Sequence, residues 1–483
     1  MTEIIRANFE VGKNDKISGV MDCKTSSKKF SCWSSERFSI DNHSNIYGKT
    51  DKNQYISLLN CLGDESTYQS DNQSSYSCEV YSHTMIMGNE KIVPESDKFT
   101  SISLTVGNPL KLFMRLKSFG YVNVPDPKLI DVLNEQKYTP RFDTEKRTII
   151  AYFNGDFDIF EQDTKLGKIK AHNIIHHGSL GSVTGVTIEN KIMVTIDFHN
   201  GVSLDEAFKR ANLVTLFFRF IGGQGLYFKD ISLRKIEHEH NEFTVYHDSC
   251  NWGKEEDEED DFYTRPLINV TNHSFLEILK NWFDKDDRES VRYSFYNTYF
   301  REIYSPDRLI TAANMFDIFP IADNDKKKII HPDADLLIKN LKNHLKTEFS
   351  DFDEIRNSLL QSIGSITRKS LKERVLDRIE IIRPHLIGHV VCVEDIKFII
   401  GIAIKSRNYH VHGTKYKKLT PEKLFEFQSL FIDTFEYIYA ISELIECGWQ
   451  GSETPLSWSN HRIKGYERQI GSEVRNLKKV FDV

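Results

Sequence analysis

The sequence predicts an α+β protein, with a β-rich, sandwich-like or rolled N-terminal domain followed by an all-α helical bundle. Three observations carry this reading. Up to residue 254 apolar residues tend to alternate with polar ones, the period of two that a pleated strand imposes, whereas from about 274 onward they recur at the helical period of 3.6. Between the two patterns stand seven consecutive acids, residues 255–261, whose mutual repulsion disfavours packing. In the second half Pro320, Pro384 and Pro421 cut the pattern into helix-length pieces.

Taken in order, residues 1–130 are rich in Ser, Asn, Gly and aromatics, and the alternation of Ser101 to Val106 reads as a strand. Thr148 to Phe153 and Lys191 to Phe198 are β-branched and aromatic, as strands prefer, and Asn154-Gly155 and Asn200-Gly201 are tight-turn signals. One helix interrupts this half. Ser203 and Glu206 have capping-box spacing, Ala207 to Ile221 is strongly apolar, and Gly222-Gly223 supplies the stop. A strand is expected from Leu226 to Ile231. Ser274 and Glu277 suggest a second capping box, and helices are expected over 306–319, 333–347, 351–367, 370–382, 393–408 and 421–446. The expected organisation is therefore a β-rich domain over 1–254, an acidic linker and helical connector over 255–304, and a helical bundle over 305–483.

Composition limits the function classes. The chain has 483 residues, 39% hydrophobic and 28% charged, which suits a globular protein of two to four domains. No apolar run approaches the ~20 residues of a membrane span, and Phe398 to Ile404 is far too short. An early Glu and the lack of an apolar stretch at the N-terminus lead us to expect no signal peptide. The seven cysteines are odd in number and widely spaced, which fits reduced thiols and a cytoplasmic protein. The formal net charge of −7 argues against a polyanion partner until it is divided by segment. Residues 262–483 hold 33 basic against 31 acidic residues, a net of +2, and the window from Arg356 to Lys423 holds 14 against 6, a net of +8. That window could hold a polyanion or could be a solvated basic helix face. The acidic run is read as a solvated linker, or alternatively as an internal polyanion that occupies the basic window.

Most familiar chemistries lack their residues. There is no paired C-x-x-C for zinc, no P-loop or dinucleotide glycine fingerprint, and no G-x-S-x-G elbow, so no metal and no cofactor is expected. His172, His176 and His177 in an expected loop, and His238 with His240, read as surface histidines. What remains is Lys405-Ser-Arg-Asn-Tyr-His-Val-His-Gly413. The apolar spacing before it places Arg407 on the last turn of a buried helix and His412 just past it, in a loop that could aim its ring back. Cleavage of RNA by its own 2′-OH needs a proton acceptor or donor near neutral pH, for which His412 serves, and a cation for the charge that builds on phosphorus, for which Arg407 offers planar bidentate donors. Asn408 can orient either group. Without further context R-x-x-x-x-H is a weak pattern.

The segment Arg407-Asn408-x-x-x-His412-Gly413, closing an apolar helix of a C-terminal bundle, resembles the R-x4-6-H motif of HEPN domains, and its R-N-x-x-x-H-G form is similar to the ApeA-like branch of that family. The Leu309 to Phe316 helix, the basic Leu371 to Arg378 helix and the apolar helix after Pro421 support the likeness, and the β-rich half with Leu213 to Phe218 is similar to the ApeA N-terminal domain. The resemblance implies an anti-phage defence protein acting by abortive infection. Its β-domain would be a sensor or regulator, with a phage-derived protein as a candidate trigger, and its bundle a metal-independent endoribonuclease that leaves 2′,3′-cyclic phosphate ends on tRNA or mRNA. It further implies a homodimer or higher oligomer in which two motifs meet, with catalytic roles for Arg407, His412 and Asn408. Lys405, His410, Lys415, Lys417 and Lys418 are the expected RNA contacts, His410 being either an extra phosphate ligand or a surface residue. The E-x3-K element of some HEPN proteins has no match, since Glu394 and Lys397 are three apart. Two alternatives remain open here: a non-catalytic HEPN module that binds a nucleotide or partner, and a HEPN toxin paired with a nucleotidyltransferase antitoxin.

Overall fold

A computed structural model describes residues 4–11, 15–22, 29–34, 38, 40–70, 73–113, 118–123, 126–136, 149–177, 188–223, 225–236, 238–247, 266–320, 332–366, 369–386, 392–414, 420–451 and 461–481. The acidic run at 255–261, Cys23, Cys250 and the lysines at 415, 417 and 418 lie outside them. The chain forms two compact units, 1–276 and 277–483.

The first unit contains β1 (Ile4–Val11), β2 (Asp15–Asp22), β3 (Lys29–Ser34), β4 (Ser44–Thr50), β5 (Tyr55–Ser70), β6 (Gln73–Gly88), β7 (Phe99–Val106), α1 (Leu110–Phe113), β8 (Phe119–Asn123), α2 (Pro127–Asn134), β9 (Ile149–Phe153), β10 (Asp158–Thr164), β11 (Gly167–His177), β12 (Ile188–Val202), α3 (Leu204–Gly222), β13 (Phe228–Lys235) and β14 (His238–His247). Twelve strands share one sheet in the order β10-β11-β12-β7-β13-β14-β6-β3-β2-β1-β4-β5, and β5 also pairs with β6. That extra pairing closes β1 to β6 into a six-stranded barrel, so of the two forms expected from sequence it is the rolled one that the strands adopt. Alternation makes the closure possible: Ile5, Ala7 and Phe9 of β1 are buried while Arg6, Asn8 and Glu10 are exposed. The barrel filling includes Phe30, Ile56, Leu58, Cys61, Cys78 and Val80. At Gly48 the chains approach so closely that a Cβ would sit 2.4 Å from the Asn8 carbonyl oxygen, which only glycine avoids. β14, β13, β7, β12, β11 and β10 extend from β6 as an open sheet, against which α3 packs, while β8 and β9 pair as a separate two-stranded sheet.

Local expectations meet mixed outcomes in this unit. Ser203 caps α3 by accepting from Glu206 N at 3.4 Å, and Gly223 ends it at φ 90°. The Glu206 carboxylate instead takes Arg210 Nε at 2.7 Å, one turn on. Asn200-Gly201 is not a hairpin turn; β12 runs through it with a register shift between Asp197 and Val202. His172, His176 and His177 lie on strand β11 rather than in a loop.

The second unit is helical: α4 (Phe275–Asp284), which enters it from the first, α5 (Glu289–Tyr299), α6 (Pro306–Ile318), α7 (Pro332–Glu348), α8 (Asp353–Ile366), α9 (Leu371–Ile382), α10 (Val393–His412), α11 (Pro421–Glu426), α12 (Gln428–Glu446) and α13 (Arg462–Val480). The expected helix over 421–446 is two helices that meet at Phe427, and α5 and α13, inside the expected helical connector and bundle, had no bounds of their own in the sequence reading. Ser274 does not form a capping box, because its backbone N–H, which Glu277 would accept, goes to Asn272 Oδ1 at 2.8 Å, and its hydroxyl donates to the same oxygen at 2.7 Å. The complete box stands at Ser370 and Glu373, at the start of α9. α12 is buried on nearly every side and packs against α5, α6, α9, α10 and α13. Its acids are matched by arginines: Glu436 takes both Nε and Nη2 of Arg308 at 3.1 Å, and Glu443 takes Arg292 Nη2 and Arg288 Nη1 at 2.5 Å each. No helix among the described residues is long and apolar enough to cross a membrane.

Candidate functional site

Helix α10 extends four residues beyond its expected end. Ile396, Ile399, Ile400, Ile402 and Ala403 bury its inner face, and Ser406 is buried one turn before the polar end. The helix stops at His412 because Gly413 adopts the left-handed conformation, φ 65°, and returns its N–H to Tyr409 O at 2.9 Å. His412 is therefore the last residue of the helix, not a loop residue aimed back at it. The expectation failed because Tyr409 to His412 are indifferent helix formers; the αL cap that Gly413 provides carries the helix through them.

At a helical 100° per residue, Asn408 and His412 share a face and Arg407 lies beside it. The long arginine side chain bridges the offset. Arg407 Nη1 donates to Asn408 Oδ1 at 3.2 Å and stands 3.5 Å from His412 Nε2, while Nη2 donates to Asn314 Oδ1 at 3.0 Å. Asn314 sits on α6 between the buried pairs Ala312-Ala313 and Met315-Phe316. The sequence leads one to expect its helix but does not single out this residue. A single amide inside an apolar stretch was the available signal, since burial of such a group requires a polar partner. Arg407 Nε is buried without a hydrogen-bond partner, so the guanidinium keeps donor capacity.

The three motif residues thus come together, with Asn314 as a fourth. His412 is exposed, Arg407 and Asn408 half-buried. His410 is half-buried, edge-on to Tyr409 at 5.2 Å between ring centres, and burial lowers its pKa from 6.5. It favours the neutral ring near pH 7. Lys405 is exposed on the same helix.

The basic window is less open to a polyanion than its sum suggests. Arg378 pairs with Glu446, Arg374 with Asp317, Lys369 with Asp377, Arg383 with Glu380, Lys397 with Glu380 and Glu394, and Arg356 with Asp353. A sum over sequence missed this because several partners come from outside the window. Elsewhere, Cys32, Cys61, Cys392 and Cys447 are free thiols, and burial pushes Cys32, Cys61 and Cys447 up to about 12. Among the described residues no group of three or more His, Cys, Asp or Glu could hold a metal ion.

Comparison with known proteins gives one family: the model described as ApeA N-terminal domain 1 matches residues 14–282. No curated protein and no solved structure matches the chain.

Proposed function

The chain belongs to the ApeA N-terminal domain 1 family, and from that premise we propose that its helical unit is a metal-independent RNA endonuclease serving anti-phage defence. The observation that carries the reading is the Arg407 guanidinium, held by Asn314 and Asn408 with its Nη1 3.5 Å from His412 Nε2. A proton carrier and a fixed cation stand together at an exposed helix end, where a scissile phosphate can reach both.

In this mechanism His412 exchanges the proton of the ribose 2′-OH or of the leaving 5′-oxygen. Arg407 donates to the non-bridging oxygens as charge builds on phosphorus. Asn408 and Asn314 limit the guanidinium's freedom, so little reorganisation is needed in the transition state. The product is a 2′,3′-cyclic phosphate and a 5′-hydroxyl. One chain supplies one His412, whereas attack and departure call for a base and an acid; two copies meeting at their α10 ends would supply both, so the active species is a homodimer. Lys405, with Lys415, Lys417 and Lys418 in the following segment, would hold neighbouring phosphates of a tRNA or mRNA, and the N-terminal unit would regulate the nuclease.

Purified Arg407→Ala and His412→Ala proteins test the reading. Each should lose RNA cleavage by about 10²-fold or more with unchanged circular dichroism, and wild-type activity should persist in excess EDTA. Near wild-type cleavage by either folded variant would refute it.

A further inference from the structure

We propose that a cleft in the helical unit, lined by Arg288, Lys369, Arg374 and Arg378 beside the rings of Phe316 and Phe319, binds a small ligand that joins a phosphate group to a flat apolar body. The cavity measures 310 Å³, at the lower end of ligand pockets and room for about ten waters. Its lining carries four cations against two carboxylates, Asp377 and Glu446.

The imbalance continues behind the wall. Arg288, Arg292 and Arg378 share Glu443 and Glu446, three guanidinium groups on two carboxylates. One oxygen, Glu446 Oε2, receives both Arg288 Nη1 at 2.6 Å and Arg378 Nη1 at 2.8 Å. Arg378 Nη2 stands 4.0 Å from Glu443, beyond hydrogen-bond range, and like Arg288 Nε it is buried without a hydrogen-bond partner. Three guanidinium groups on two carboxylates leave one positive charge over, with unused donors on Arg378 and Arg288, and this surplus favours an anion in the adjoining cavity.

The apolar part of the lining specifies the rest of the ligand. The guanidinium carbons of Arg288 and Arg378 lie 5.0 and 4.2 Å from the centre of the Phe319 ring, which fixes their planes. Phe316, Pro320 and Ile381 complete a hydrophobic wall. A bare ion would leave that wall wet, and an uncharged aromatic would leave the surplus positive charge unmatched. Neither Arg407 nor His412 lines the cleft, which stands apart from the nuclease reading.

Titration calorimetry of the full chain with phenyl phosphate, inorganic phosphate, benzoate and phenol tests it. Phenyl phosphate should bind saturably and inorganic phosphate about tenfold more weakly, for want of the buried ring. Benzoate should also bind more weakly than phenyl phosphate, and phenol should give no heat. Lys369→Glu should weaken phenyl phosphate by about tenfold or more, as loss of a charged donor does. Asp377→Asn, which releases Lys369 from its 2.8 Å ion pair, should tighten it, and Ile381→Trp should block the cleft. No saturable phenyl phosphate binding by the wild type, or undiminished binding by Lys369→Glu, overturns the proposal. Tighter binding of benzoate than of phenyl phosphate overturns the assignment of phosphate.

Discussion

At the scale of single residues, Asn314 separates positioning from chemistry. It accepts from Arg407 across two helices and has no titratable proton to offer. Asn314→Leu should therefore lower RNA cleavage by about tenfold to a hundredfold, the usual effect of freeing a catalytic group's support, at a stability cost of about 1 kcal/mol. Asn314→Asp keeps an acceptor for the guanidinium and should restore most of the rate; single-turnover kinetics on the two variants would distinguish them. His410→Ala should change cleavage little, because burial favours its neutral form and leaves it without charge to lend a phosphate. The legibility of the site was uneven for a physical reason. Arg407, Asn408 and His412 are neighbours in sequence, a spacing weak by itself but sufficient to match a known motif, whereas Asn314 is 93 residues away and joins them only when α6 and α10 pack.

At the scale of elements, Gly413 and α12 yield the clearest tests. A Cβ on Gly413 would meet nothing within 4 Å, so Gly413→Ala is a test of backbone conformation alone. It should cost about 1 kcal/mol, seen as a lower urea midpoint, and it should reduce cleavage by fraying the turn that carries His412. Glu443 in α12 responds to pH. Burial would raise its pKa, but Arg292 and Arg288 outweigh burial and hold it below 4.5. Its contribution to stability is therefore complete above the ordinary carboxylate range and lost as pH falls through and below it. The urea midpoint of the protein should fall as the pH drops below about 4.5, and Glu443→Gln should flatten that fall. The same variant should destabilise by about 3–5 kcal/mol at pH 7, because Arg288 and Arg292 lose their shared carboxylate. Element types were more legible than their ends. Helical periodicity located α6 to α10, while identical Ser-x-x-Glu spacings gave a full capping box at Ser370, half of one at Ser203 and none at Ser274. The spacing permits the reciprocal bonds, but a competitor, Arg210 for the Glu206 carboxylate or Asn272 for the Ser274 backbone N–H, decides whether they form.

At the scale of the whole molecule, the proposed dimer makes a concentration-dependent prediction. Light scattering should give twice the 56.2 kDa chain mass at micromolar concentration, and mixing Arg407→Ala with His412→Ala chains should test whether the two copies complement each other. A strictly monomeric protein with full activity would rule the dimer out. The division into a β-rich and a helical half was plain from the change of period, but barrel closure was not, since it depends on β5 returning alongside β6 and hence on register. That register gives β6 an unusual duty. On one side it pairs with β5 along nearly its whole length; on the other it pairs first with β3 of the barrel and then with β14 of the open sheet. It is a common beam of two structures, and Thr84 lies where the load passes, opposite Leu59 of β5 and His247 of β14, with its hydroxyl 2.7 Å from His247 Nδ1. Neither part can slide along this strand without carrying the other, so a shift imposed on the barrel reaches the far strands as a movement of a single ribbon.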